Sequence, residues 1–192
     1  MPDYIAMCRD IMEKKCGTLL FPDITPYEQS GLSINHQVDL MKAKTIYENG
    51  GFWIDADMIV MKDLGIVFDL LKDYEYVGIP GFFGARKGAP ILKRWIDGMD
   101  ATYEKGGLTF SDLIQPLLHD PEFKEFEPLT RAMICPIYHD EFNKFFQDGM
   151  IEGDPFIVTL YNSQFPDSFK KMSKQEILNK NWVISNCFKK AL

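Results

Sequence analysis

Apolar positions recur along the chain in two rhythms, one near every third or fourth residue and one in short unbroken runs. Ile5, Cys8, Ile11 and Met12 share one side of a helix predicted over 3–15, with Arg9, Lys14 and Lys15 elsewhere. A second helix is expected over 34–48, where Val38, Met41 and Thr45 define a stripe that Leu40, Ala43 and Tyr47 widen. A third is expected over about 90–104. Pro90 suits its first turn, and Ile91, Trp95, Ile96 and Met99 supply its apolar anchors. Short apolar runs read as strands at Thr18–Phe21, Phe52–Ile54, Met58–Met61, Tyr76–Ile79, Phe82–Arg86, Met133–Ile137 and Phe156–Tyr161. Ser111 and Asp112 can cap a helix carrying Leu113, Ile114, Leu117 and Leu118, although Pro116 limits its regularity. Shorter helical turns fit 67–71, 141–146 and 174–180, and 182–188 reads as a tail that packs back. With no repeat and no low-complexity linker, the expected organisation is a single α/β domain over 1–192, residues 167–192 forming a carboxy-terminal packing segment.

Composition narrows the function classes. The 192 residues are 46% hydrophobic and 14% aromatic, enough for a full core and too apolar for disorder. A net charge of −7 argues against an extended nucleic-acid footprint. Four cysteines lack CxxC spacing and stand with only three histidines, so they read as buried thiols of a reducing compartment rather than zinc ligands. No apolar run reaches membrane-spanning length, and no basic region followed by an apolar core opens the chain. The expectation is a soluble, cytoplasmic protein. Lys170, Lys171, Lys174, Lys180, Lys189 and Lys190 make one end locally basic, which leaves peripheral membrane contact or anion steering open beside a solvated tail.

The chemistry concentrates at Gly50–Val60. Two glycines return the chain from the second helix into Phe52-Trp53-Ile54, and two carboxylates, Asp55 and Asp57, follow with one residue between them. In an extended chain residues i and i+2 face the same side, so both could serve one site. Carboxylates beside an apolar strand need water, a metal or a hydrogen-bonded partner. Hard oxygen ligands suit Mg²⁺ or Mn²⁺. A solvated strand end explains the same spacing. Asp39 and Lys42 stand three apart on the preceding helix, as an exposed ion pair or as a face turned toward the carboxylates.

The segment Val38-Asp39-Leu40-Met41-Lys42, continuing through Tyr47-Glu48-Asn49-Gly50-Gly51 to Asp55-Ala56-Asp57, resembles the DXD glycosyltransferases of the capsular polysaccharide synthesis type. Their kin are the retaining, Och1-like sugar transferases and, more distantly, the large clostridial glucosylating toxins. The likeness extends through Phe82–Pro90 and returns weakly at 156–166. It implies a GT-A fold, a mixed and mainly parallel sheet flanked by helices with a nucleotide sugar at the strand ends. It implies Asp57 as the ligand of the Mn²⁺ or Mg²⁺ that holds the donor diphosphate, and Asp55 as a contact to ribose, sugar or metal-bound water. It further implies Asp39 at the donor sugar's hydroxyls and Lys42, where relatives often carry arginine, near sugar and phosphate. Lysine keeps the charge and loses the bidentate fork.

Thr159-Leu160-Tyr161-Asn162-Ser163 resembles the late segment that returns to the metal, with Thr159 in place of the family histidine. Asn162 or Ser163 could then offer a neutral oxygen ligand. Gln115 or Asp112 is the candidate for the acceptor side. Relatives normally begin with a strand of the Pro-Lys-Ile-Ile-His-x-Ile-Trp kind. This sequence starts at the following helix, which implies an amino-terminally truncated or divergent member. The resemblance thus implies a metal-dependent retaining transferase moving a hexose from a nucleoside-diphosphate sugar, UDP-linked by preference and GDP-linked as the other option. Its acceptor would be a glycan, a lipid-linked saccharide or a protein. The alternative is a weakly active or non-catalytic nucleotide-sugar-binding relative.

Overall fold

The computed structural model describes residues 1–17, 19–23, 25, 33–79, 81–102 and 131–192. It is a mixed α/β protein whose packing divides it into two compact units, each drawn from separated stretches of chain. Unit 1 takes Met1–Leu19, Asp55–Gly65 and Leu129–Leu192, and unit 2 takes Leu20–Ile54 and Ile66–Pro128. The chain passes from unit 2 into unit 1 between Ile54 and Asp55, inside the stretch that carries the two aspartates.

Unit 2 is built on α2 (Ile34–Asn49), β1 (Gly51–Ile54), β3 (Tyr76–Ile79), β4 (Phe82–Ala85) and α4 (Pro90–Thr102). Ser33 caps α2 by accepting from the His36 N–H, and Gly50 ends it with φ 71°, its own N–H returning to the Ile46 carbonyl. That left-handed turn is where glycine is the cheap residue. It lets α2 give way at once to β1. The sheet order is β1-β4-β3, antiparallel throughout, with Trp53 opposite Phe83 and Phe52 opposite Gly84. Gly84 leaves room for the Phe52 ring, which would stand 2.6 Å from a Cβ there. On the other side Leu40, Ala43 and Ile46 pack against Ile91, Leu92, Trp95, Ile96 and Met99, with Phe83 and Tyr76 beneath them. Each large side chain buried in this way contributes about 1.5–3 kcal/mol of transfer free energy. The buried face of α2 is therefore centred on Leu40, Ala43 and Ile46; Val38 and Thr45, expected in its stripe, lie at its half-buried margin.

Unit 1 holds α1 (Asp3–Cys16), β2 (Met58–Val60), α5 (Arg131–Ile134), β5 (Ile157–Thr159), α6 (Asp167–Lys170), α7 (Lys174–Leu178) and α8 (Val183–Ala191), with 3-10 turns at His139–Phe146 and Asn162–Gln164. A further short helix, α3 (Gly65–Asp69), follows β2 in the chain. β2 and β5 form an antiparallel pair in which Met58 faces Thr159 and Val60 faces Ile157. Tyr4, Met7, Cys8, Ile11 and Met12 give α1 a buried face. Phe146 and Phe169 stack edge-on at 5.1 Å, and Trp182 meets Phe146 at 5.7 Å. The 167–192 segment packs back as expected, with Ile184, Cys187 and Phe188 of α8 fully buried.

Three expectations change. Every described strand pair is antiparallel, so the mainly parallel sheet is not what the described strands form. Residues 19–21 are not a strand, and position 18 lies outside the described residues. Met133–Ile137 is not a strand either: α5 covers its first half and a bend containing Pro136 its second. A short apolar run does not distinguish helix from strand by itself. Here the freed carbonyls of Met133 and Ile134 are satisfied by the Phe156 N–H and the Thr159 hydroxyl.

Candidate functional site around Asp57

β1 ends at Ile54, and Ala56 and Asp57 form a turn before β2 resumes at Met58. The strand alternation that would aim Asp55 and Asp57 the same way therefore stops short of them. Both are half-buried. What orients Asp57 is a segment more than a hundred residues later. Its carbonyl accepts the Leu160 N–H at 2.9 Å, and its Oδ2 accepts the Asn162 N–H at 3.0 Å.

The β2–β5 register makes this possible. With Met58 opposite Thr159, the chain leaving β5 must cross beside Asp57. Tyr161 then takes a left-handed conformation, φ 53° and ψ 55°, the only non-glycine residue with positive φ among those described. A side chain in that region costs about 1–2 kcal/mol. Local strain of this kind persists where surrounding contacts over-determine it. Its phenol lies 3.1 Å from the Cys135 thiol, and the His139 ring stands edge-on at 6.4 Å. The turn sends the N–H groups on either side of Tyr161 to one aspartate.

A third group closes the arrangement. The Tyr4 hydroxyl of α1 donates to Oδ1 of Asn162. Tyr4 is fully buried, with its ring against Phe165 at 5.8 Å and Phe169 at 5.1 Å. Burial, with the negative charge of Asp57 behind it, pushes the phenol up to about 12. Burial and the same carboxylate raise the Cys8 thiol one turn further along α1. Asp57 thus projects its field into an apolar wall, where charge is poorly screened.

The side chains named have the chemistry of a hard-cation site: the carboxylates of Asp55 and Asp57, the amide oxygen of Asn162, whose backbone N–H bonds Asp57, and the hydroxyl of the exposed Ser163 next in the chain. No group of three or more His, Cys, Asp and Glu side chains with metal-binding placement occurs among the described residues. Mg²⁺-type ions commonly take only one or two carboxylates and complete their shell with water and substrate phosphate. The residues fit such an ion. The position where a family histidine was sought is differently used, since Thr159 spends its hydroxyl on the Ile134 carbonyl.

Asp39 and Lys42 belong to unit 2. Their side chains lie 3.7 Å apart and are 19% and 11% exposed, so the pair is largely buried, in contrast to the exposed pair the spacing suggests. The Lys42 ammonium also sits 5.7 Å from the centre of the Trp53 ring, a cation–π arrangement. Trp53 packs against the unit's core, and Arg86 and Lys87 are exposed in the turn after β4. Asp112 and Gln115 lie outside the described residues. In the basic carboxy-terminal stretch, Lys189 donates to the Lys180 carbonyl and Lys190 lies 3.9 Å from Asp154. Among the described residues no helix is long and apolar enough to cross a membrane.

The sequence points to Asp57 and Asn162 but not to Tyr4. Tyr4 reads there as one more residue of an amphipathic helix, and only the fold reveals its partner. Comparisons with protein-family models, curated proteins and solved structures find no match to this chain.

Proposed function

We propose that the protein is a metal-dependent glycosyltransferase of the retaining type, taking a hexose from a nucleoside-diphosphate sugar to a glycan, lipid-linked saccharide or protein acceptor. The observation that carries this is the convergence of the late Asn162 segment on Asp57. It is the relationship that the resemblance to DXD transferases requires of residues 105 positions apart. Asp57 and Asp55, with Asn162 or Ser163, would hold Mn²⁺ or Mg²⁺. The bound ion would supply positive charge to the departing diphosphate.

Each side chain then has a defined task. Asp57 keeps its direction through the N–H bonds that its backbone carbonyl and its carboxylate each accept, so little reorganisation is needed when a ligand arrives. In unit 2, Asp39 would accept from donor hydroxyls and Lys42 would offer a single cationic contact to sugar or phosphate. In the transfer, the bond from the anomeric carbon to the diphosphate oxygen breaks. A bond to the acceptor oxygen forms on the same face, and the acceptor proton passes to the departing phosphate. No side-chain nucleophile is assigned. A fold of the GT-A type goes with this proposal.

The test is nucleoside-diphosphate release from a panel of UDP- and GDP-sugars, with and without Mn²⁺. Metal-dependent release that Asp57→Asn abolishes in a folded protein is the expected result. Neither binding nor turnover of any donor by the folded wild type overturns the proposal. One observation favours the second reading, a nucleotide-sugar binder: Thr159 commits its hydroxyl to Ile134 and provides no ligand. Donor binding that needs metal but gives no release distinguishes it.

A further inference from the structure

We infer that Tyr4 is a positioning residue of the Asp57 site, acting through Asn162; this rests on the metal site proposed above. Asn162 is an exposed residue on a short 3-10 turn, and an exposed amide ordinarily samples several rotamers. Here its Oδ1 accepts from a phenol that cannot move freely, because the Tyr4 ring is wedged against Phe165 and Phe169 in the core of unit 1. A buried tyrosine hydroxyl needs a partner, and this one finds it in the residue whose backbone N–H holds Asp57. The core thereby sets the direction of the side-chain amide of the residue whose backbone N–H bonds the Asp57 carboxylate. Tyr161, next to Asn162 in the chain, has φ 53°, a conformation that persists where surrounding contacts hold it. Oδ1 has a second lone pair, so the Tyr4 bond leaves it able to face a cation. Groups that hold metal ligands in place commonly change affinity by 10- to 100-fold when removed.

The expected behaviour follows from removing only the hydroxyl. Tyr4→Phe keeps the ring contacts and should leave the fold intact by circular dichroism. Its affinity for Mn²⁺ alone, read from the free-ion electron paramagnetic resonance signal without any donor, should fall about 10-fold. The side-chain amide resonance of Asn162 should shift and broaden in the same variant. Once Asn162→Ala has removed the acceptor, adding Tyr4→Phe should cost no further affinity.

Wild-type Mn²⁺ affinity in Tyr4→Phe, with affinity lost in Asp57→Asn, overturns the role of Tyr4 and leaves the metal site standing. Unchanged Mn²⁺ binding in Asp57→Asn removes the metal site itself. If Tyr4→Phe does not fold, the Asn162→Ala variant carries the test: unchanged Mn²⁺ affinity there overturns the inference.

Discussion

The backbone N–H of Asn162 donates to Oδ2 of Asp57 at 3.0 Å, joining residues 105 positions apart. Because Leu160 donates to the carbonyl of the same aspartate at 2.9 Å, Asp57 is held at both its backbone and its side chain. Asp57→Asn keeps an oxygen that can accept from Asn162 and removes the charge. We expect it to fold and to lose Mn²⁺-dependent donor hydrolysis by about 100-fold or more. Asp57→Ala removes the acceptor as well and should cost about 1–2 kcal/mol in urea unfolding relative to Asp57→Asn.

Gly50 and Gly88 separate backbone strain from steric contact. Both have φ near 70°, but a Cβ at Gly50 would lie 2.9 Å from the Lys87 backbone nitrogen, while one at Gly88 would meet nothing within 4 Å. Gly88→Ala should cost about 1 kcal/mol, the left-handed penalty alone. Gly50→Ala should cost clearly more, because the neighbour it meets is backbone and cannot rotate away. Chemical denaturation midpoints of the two variants, compared directly, measure the difference; equal midpoints would contradict it.

The Asp39–Lys42 pair lies between surface and core. Exposed pairs at this helical spacing contribute a few tenths of a kcal/mol. With side chains only 19% and 11% exposed and Trp53 beneath the ammonium, the coupling should reach about 1 kcal/mol. A double-mutant cycle of Asp39→Asn and Lys42→Met on unfolding free energy reads it. Lys42→Arg should also alter donor affinity, since the guanidinium presents a fork where lysine presents a point charge.

Cys187 sets a dependence on alkaline pH. Burial in α8 pushes its thiol up to about 11, with Lys190 partly opposing. The folded value lies above the ordinary thiol value of 9.0, so the folded state favours the neutral form. That contribution is fully present below pH 9 and is lost as pH rises through about 11. The stability difference between wild type and Cys187→Ala should therefore shrink across this window. Alkylation of Cys187 in the native protein should stay slow at pH 8, because few thiolates form.

Much of the local structure was legible in the residues. The helices at Asp3–Cys16 and Ile34–Asn49 and the strands at Tyr76–Ile79 and Phe82–Ala85 lie within one or two residues of their expected limits. Helical and strand periodicities are written within about ten neighbouring positions, and caps such as Ser33 and Gly50 mark their ends. The failures at Thr18–Phe21 and Met133–Ile137 have the converse cause. Runs of four or five apolar residues fit either state until a distant partner selects one.

For this chain, then, the sequence by itself determined where helices and strands begin, which faces are apolar, and that two carboxylates stand beside a glycine-rich turn. Tertiary structure alone decided that β1 and β2 enter different sheets, that the chain changes unit at Ile54–Asp55, and that Tyr4 and Asn162 meet at Asp57. Strands of three or four residues hold too little local information to choose a partner. Pairing and register follow from burying both faces at once, a condition that only the assembled chain can satisfy.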